Sequence, residues 1–151
     1  MTQKEKELLL KDLCARLPYH IKCQMEDDFI INDSPLYDYI LSEKHIELFR
    51  NHKGFYIKPY LRPMSSMTEE EREDFYQNVL DMDIEDVRYE NDGKLPLPYN
   101  QKDKFIWFEN IYLDNTFTVI DWLNAHHFDY RELIEKGLAI AVTKENNPYK
   151  E

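Results

Sequence analysis

The chain has 151 residues, of which 42% are hydrophobic and 32% are charged, and its formal net charge is −11. This length and apolar content predict one folded domain over residues 1–151 and argue against a disordered chain. Only three glycines occur, so neither of the two common glycine-rich phosphate-binding loops is present, and no apolar run reaches the length of a membrane span.

The N-terminal segment and the cysteine content point to the cytoplasm. Residues 1–7 do not have the pattern of a signal peptide. Two cysteines are too few for a disulfide framework, and free thiols are typical of a reducing compartment. Cys14 lies on the apolar face of the first predicted helix, and we expect it in the core.

The first third of the chain predicts one helix followed by a small sheet. Leucines at i, i+4 and i+8 predict an amphipathic helix over Lys4–Leu17. Residues 19–61 then read as mainly β, an antiparallel meander of three to five strands that is either open or curled like an SH3 barrel. Its clearest hairpin joins residues 45–50 to residues 55–60.

Residues 68–137 read as mainly α-helical. Thr68 and Glu71 have the spacing of a capping box and open an acidic helix. The pattern leaves the conformations of residues 81–92 and 105–113 open. The predicted buried side of the acidic helix consists of Phe75, Tyr76, Val79 and Leu80.

A pair of short helices is predicted near the C-terminus. The first begins near residues 115–118, and the second covers Tyr130–Lys136. Asp129 has the position of an N-cap for the second helix, with Glu132 completing a capping box, and Gly137 has the position of a C-cap. Helices this short depend on packing for their stability.

The remaining residues complete the predicted fold class. Leu138–Thr143 reads as a late strand, and residues 144–151 as a frayed tail. The sequence thus predicts an α+β fold with an N-terminal helix, a small antiparallel and possibly SH3-like β-meander, C-terminal helices and a late short strand.

Three blocks of sequence resemble an uncharacterised group of small proteins from Bacteroides-type gut bacteria and their mobile elements. The blocks are Leu8–Tyr19, Lys58–Glu71 and Trp122–Arg131, about a quarter of the chain. The resemblance implies an accessory protein of a bacterial mobile element or phage that acts in the cytoplasm. It implies no catalytic residue.

The adjacent histidines suggest a metal-dependent hydrolase. His126, His127 and Asp129 are residue types that bind metal ions at short spacing. However, neighbouring positions on a helix point about 100° apart, so both imidazoles do not readily face one ion. Asp129 is also explained as an N-cap. A packing role is therefore the favoured interpretation of these three candidates.

A second hypothesis is a small nucleic-acid-binding module. Cations and aromatic residues interleave in the predicted hairpin, a pattern that suits stacking and phosphate contacts. The negative total charge makes this hypothesis less favoured than an ordinary strand surface. The residues concerned are Lys53, Lys58 and Arg62, with Tyr56 and Tyr60.

The leading hypothesis is a non-enzymatic factor that binds another protein through an acidic surface. Residues 68–92 contain eleven acidic residues and two arginines, a local net charge of −9. Such a surface suits a basic partner, by imitation of nucleic-acid charge in one version of the hypothesis. We expect no cofactor and no membrane contact. The predicted partner-binding acids are Glu69, Glu70, Glu71 and Glu73.

Overall fold

The computed structural model describes residues 1–27, 37–100, 104–105 and 113–150. These residues form an α+β fold with an N-terminal helix and a late short strand, which confirms the predicted fold class. They fall into two compact units. The first unit comprises Met1–Arg62 and Asn124–Glu151, and the second comprises Pro63–Leu123.

Helix α1, Gln3–Arg16, confirms the predicted N-terminal helix. Its buried stripe is not purely apolar, because two charged residues belong to it. The expectation that Cys14 is a core residue is wrong: its side chain is exposed, on the side of the helix away from that stripe. The buried positions follow the spacing i, i+3, i+4 and i+7: Leu9, Asp12, Leu13 and Arg16.

The first unit contains a four-stranded sheet of order β2-β1-β3-β6. β1 pairs antiparallel with β2 and β3, as predicted, but the late strand β6 runs parallel to β3, so the sheet is mixed and is not a simple meander. The described strands leave β2 and β6 as edges, so they do not close into an SH3-like barrel. The strands are β1 (Lys22–Asp27), β2 (Tyr37–Ile40), β3 (Phe55–Leu61) and β6 (Ile140–Ala141).

The predicted hairpin is wrong in its first half, because residues 45–50 belong to helix α2, Glu43–Asn51. The helix begins after Ser42, whose backbone N–H donates to His45 Nδ1 at 3.2 Å. Ile46 and Phe49 are then buried at i and i+3, a helical spacing that an alternating interpretation overlooks. α2 therefore interrupts the segment predicted to be mainly β.

The C-terminal tail is fastened to the sheet rather than frayed, contrary to the prediction. The register that pairs Cys23 with Pro59 places Lys22 opposite Tyr60. The Tyr149 hydroxyl accepts a hydrogen bond from the Lys22 N–H at 3.1 Å and donates one to the Tyr60 carbonyl at 2.9 Å. The hydroxyl thus takes the place of one rung of the β1–β3 ladder.

The second unit is mainly helical, and the predicted capping box at Thr68 is present. A π-helical turn, Phe75–Val79, continues α3, and the predicted buried side of this segment is confirmed. Within residues 81–92 the structure has helix α4, which answers one of the two questions that the sequence left open. The elements are α3 (Glu69–Asp74), α4 (Ile84–Glu90), a small hairpin of β4 (Tyr99–Asn100) and β5 (Lys104–Phe105), and most of α5 (Leu113–Ala125).

The apolar run at residues 105–113 lies largely outside the described residues, apart from the end of β5 and the start of α5. α5 confirms the first helix of the predicted C-terminal pair. Across the described ranges, no helix is long and apolar enough to cross a membrane.

The prediction of a second helix in that pair is wrong, because residues 130–136 form a series of turns. Asp129 does cap this segment, but its carboxylate accepts from the N–H groups of Leu133 and Ile134, both at 2.9 Å. Glu132 has a φ of +60°, which removes it from any capping box. Gly137, at φ +71°, closes the turns in the predicted left-handed conformation.

Candidate functional site

The acidic surface of the second unit is built on α3 and α4. Thr68 Oγ1 accepts from the Glu71 N–H at 3.2 Å, and a Glu71 carboxylate oxygen accepts from the Thr68 N–H at 2.9 Å. Glu71 is therefore committed to starting the helix. Negative side chains in a first helical turn also stabilise the helix dipole.

Arg88 of α4 ties the two helices together. Its guanidinium lies 3.1 Å from a Glu69 carboxylate oxygen and 2.7 Å from one of Glu73. Two of the four predicted partner-binding acids are therefore partly neutralised by this arginine. These ion pairs join α4 to α3 within the second unit.

Other acidic residues of this surface point into solvent. Glu70, Glu85 and Asp86 are exposed, and within the described part of the chain none of them has an ion-pair partner. Tyr89, which is on α4 with Glu85 and Asp86, has 90% of its surface exposed. We use the name acidic surface for α3 and α4 with the exposed side chains Glu70, Glu85, Asp86 and Tyr89.

The packing beneath the acidic surface holds it in place. Phe75 meets the Trp122 ring edge to face, with centroids 5.2 Å apart, and Trp122 Nε1 donates to Asp74 at 2.7 Å. On the other side, Arg72 donates to the Leu95 carbonyl at 3.1 Å. α3 is thus anchored by contacts that do not use its exposed acids.

The histidine pair lies at a turn after α5 and not on a helix. The His127 ring stacks on Tyr149, with centroids 4.2 Å apart and planes 13° apart, and the His126 ring lies 6.5 Å from Phe128. Burial, with smaller contributions from Arg16, His126 and Arg62, lowers the pKa of His127 to about 4. The imidazole is therefore neutral near pH 7.

Asp129 does not join the histidines in a metal site. Both of its carboxylate oxygens accept backbone N–H groups. Burial raises the pKa of Asp129 above its usual value, and those hydrogen bonds oppose the shift. Among the residues that the structure describes, no three His, Cys, Asp or Glu side chains are grouped to hold a metal ion.

The predicted basic strand face is only partly assembled. Lys58 and Tyr56 are exposed on β3, but Glu26 lies directly opposite Tyr56 in the register. Lys53 is exposed in the turn before the strand. Tyr60 is buried, and the Arg62 guanidinium lies 4.2 Å above the Phe128 ring. The face therefore offers one aromatic and one cation beside an acid.

The first unit contains a buried charge network that was not predicted from the sequence. Asp12 and Arg16 are fully buried and lie 2.8 Å apart. Arg16 also donates to the Phe128 carbonyl at 2.7 Å, and Arg131 lies 3.2 Å from the second Asp12 oxygen. An Asp and an Arg at i, i+4 on the apolar side of a predicted helix were the available signal. This network joins α1 to residues 128–131.

Comparison with known proteins adds no constraint on function. The chain matches no protein-family model, and no curated protein or solved structure matches it either.

Proposed function

We propose that the chain is a non-enzymatic factor that binds a basic protein through its acidic surface. The observation that carries the proposal is that Glu70, Glu85 and Asp86 are exposed and free of ion pairs within the described ranges. They lie on two helices that Arg88 fastens together. Because those helices are already fixed, binding does not have to order them.

The charge supplies attraction and Tyr89 supplies an anchor. A local charge of −9 over residues 68–92 raises the association rate with a positively charged partner, in a manner that salt weakens. An exposed tyrosine adds a large apolar contact at small entropic cost, and tyrosines are enriched among residues that dominate interface energies. The partner that fits is a protein with a basic patch around an apolar depression.

The proposed setting is the cytoplasm of a bacterium that carries a mobile element or phage. Two observations support it: the chain resembles small proteins of such elements in three blocks, and both cysteines are free thiols. An accessory factor of a mobile element meets many basic, nucleic-acid-binding proteins of its host. The acidic surface would then compete with nucleic acid for one of them.

The test is affinity capture with a charge-reversed surface. The triple variant Glu70→Lys, Glu85→Lys and Asp86→Lys changes three exposed side chains without touching the ion pairs of Arg88 or the capping box. Immobilised parent and variant proteins are incubated with an extract of Bacteroides cells that contain the element. Retained proteins are identified by mass spectrometry, and the affinity of each purified partner is then measured at two salt concentrations.

The matched control carries the same charge change on the first unit. Glu7, Glu47 and Glu135 are exposed there, and their replacement by lysine alters the net charge equally. We expect the control to retain the basic partner and the acidic-surface variant to lose it. Equal retention by both variants, or equal loss from both, would contradict the proposal.

A further inference from the structure

The second unit contains a cavity of about 580 Å³, which is lined by residues of α3, of α4 and of the loop over residues 91–96. Pockets that bind small molecules have volumes of about 300–1,000 Å³. The lining carries charges of both signs, so the chemistry of a ligand depends on which of these charges are already paired. The positive side chains are Arg72, Arg88 and Lys94, and the negative ones are Glu69, Glu90 and Asp92.

Hydrogen bonds from α3 and from the turn after it hold the loop over residues 91–96 in place. The Leu95 carbonyl accepts from the Arg72 guanidinium at 3.1 Å. The next carbonyl, that of Pro96, accepts from the Tyr76 hydroxyl at 2.8 Å. The walls of the cavity are therefore fixed by contacts within the chain, and a ligand does not have to order them.

The two arginines of the lining differ in how far they are neutralised. Arg88 directs one Nη to Glu69 and the other to Glu73, so its charge is fully engaged. In Arg72 only Nη1 has partners among the described residues, the Leu95 carbonyl at 3.1 Å and a Glu69 oxygen at 3.9 Å. The Arg72 side chain is 25% exposed, which leaves its Nη2 able to donate to an acceptor in the cavity. A carboxylate is the group that a guanidinium binds best.

The three remaining charged side chains of the lining are exposed. Within the described part of the chain, Glu90, Asp92 and Lys94 have no ion-pair partner. Two free carboxylates therefore line the cavity together with a free ammonium group and the partly free Arg72. The carboxylates repel a simple anion and the cations repel a simple cation, whereas a ligand that carries both charges satisfies both sets. Pro96 is partly exposed and offers an apolar contact.

We propose that this cavity binds a basic amino acid, either as the free molecule or as the C-terminal residue of a peptide. The carboxylate of the ligand accepts hydrogen bonds from Arg72 and Lys94. Its side-chain cation pairs with Glu90 and Asp92, and the methylene groups between the two charges contact Pro96. Hydrogen bonds between ionised groups are roughly twice as strong as those between neutral groups, so both ends of the ligand contribute to affinity.

This site goes beyond the proposed protein-binding function and does not depend on it. The lining of the cavity includes none of the four exposed side chains that define the acidic surface, Glu70, Glu85, Asp86 and Tyr89. The triple charge reversal of the acidic surface should therefore leave ligand binding in the cavity unchanged. The two proposals fail separately, since one is tested by capture of a protein and the other by titration with a small molecule.

Calorimetric titration of the full chain with four related probes is the first test. L-Arginine carries both charged ends, agmatine lacks the carboxylate, and L-citrulline has a neutral group in place of the guanidinium. The fourth probe, Nα-acetyl-L-arginine, keeps the carboxylate and the guanidinium but has an amide in place of the α-ammonium, as a C-terminal residue does. We expect agmatine and L-citrulline to bind at least tenfold more weakly than the better arginine probe, because each leaves one set of lining charges unpaired.

The two arginine probes distinguish the two sources of the ligand. Binding of the acetylated probe at least as tight as that of L-arginine assigns the cavity to the C-terminal residue of a peptide, and weaker binding assigns it to the free amino acid. The proposal would be overturned if neither probe bound at about 10 mM. Affinity of agmatine or L-citrulline equal to that of the better arginine probe would also overturn it.

Two double variants with the same change of charge form a matched pair for the second test. Glu90→Gln with Asp92→Asn removes both free carboxylates of the cavity at nearly constant shape, and asparagine tolerates the φ of +56° at residue 92. Glu85→Gln with Asp86→Asn removes two exposed carboxylates of α4 that do not line the cavity. We expect the first variant to bind the better arginine probe at least tenfold more weakly and the second to keep the parent affinity. Equal affinities of the two variants would refute the site.

Discussion

The two units use charge in opposite ways. In the first unit, Asp12 and Arg16 are fully buried, pair with each other and connect α1 to Phe128 and Arg131. In the second unit, most of the charge is negative, exposed and carried by short helices. A buried ion pair is costly to form and costly to break, whereas exposed charges contribute little to stability. Charge is therefore buried and structural in the first unit, whereas in the second much of it is exposed to solvent.

Replacement of Arg16 should cause the largest loss of stability among the variants that test this contrast. We expect Arg16→Met to lower the free energy of unfolding by about 3–5 kcal/mol, because Asp12 is left buried with only Arg131 as a partner. Urea unfolding followed by circular dichroism measures the loss. The double variant Asp12→Leu with Arg16→Met should recover part of it, since no buried carboxylate remains. A single-variant loss below about 1 kcal/mol would contradict a structural role for the network.

The pH dependence of the free energy of unfolding is a second test of this contrast, with an expected effect of intermediate size. The pKa of His127 falls from 6.5 to about 4 in the folded chain, so the unfolded chain binds more protons between these values. The contribution of His127 is complete above pH 6.5 and is lost as the pH falls towards 4. Because the ring is partly exposed, we expect about 1–2 kcal/mol from urea midpoints over this range.

The variant His127→Asn isolates this contribution, since asparagine does not titrate and tolerates the φ of +62°. Asp129 acts in the opposite direction, since a raised carboxyl pKa gives stability that is lost as the pH rises through it. That contribution is common to the parent and to His127→Asn, so the difference between their two slopes reports His127. Identical slopes for parent and His127→Asn would contradict the assignment.

The smallest expected effect concerns the helix caps, which the two units share. Thr68→Ala removes the acceptor for the Glu71 N–H and should cost about 1 kcal/mol. Thr2→Ala removes the matching acceptor for the Glu5 N–H of α1. Thermal unfolding measures the loss of stability in each of these two variants. A larger loss from Thr68→Ala than from Arg16→Met would invert the proposed division between the units.

Local signals in the sequence predicted local structure well. The capping box at Thr68 and the left-handed Gly137 were readable, because each depends on residues within a few positions of the chain. The strand prediction at residues 45–50 is wrong because the apolar residues there fit both the strand period and the helix period. Ser42 and His45, which mark the start of the helix, decide between the two. Short apolar runs do not distinguish strand from helix without such end signals.

Long-range contacts account for the remaining errors. Cys14 was expected in the core because it lies beside the leucines of the predicted helix, but Asp12 and Arg16 are buried there instead. Their partners Phe128 and Arg131 are more than 100 residues away in the chain. The Asp129 carboxylate was correctly expected to cap, but it reaches Leu133 and Ile134 rather than a helical first turn. Of the candidate site, the acidic segment was evident from the sequence, whereas the partial neutralisation of Glu69 and Glu73 by Arg88 depends on a contact between two helices.

The rung supplied by Tyr149 has a consequence for synthesis on the ribosome. Lys22 and Tyr60 leave the ribosome well before the hydroxyl that joins them, which arrives 89 residues after Tyr60. Arg16 is likewise synthesised long before Phe128, whose carbonyl accepts its hydrogen bond. The middle of the chain, residues 63–123, is available in full before either partner appears. The order of completion therefore runs from the centre outwards, and the nascent first unit stays unfinished, with its β1–β3 ladder one rung short, until Tyr149 emerges.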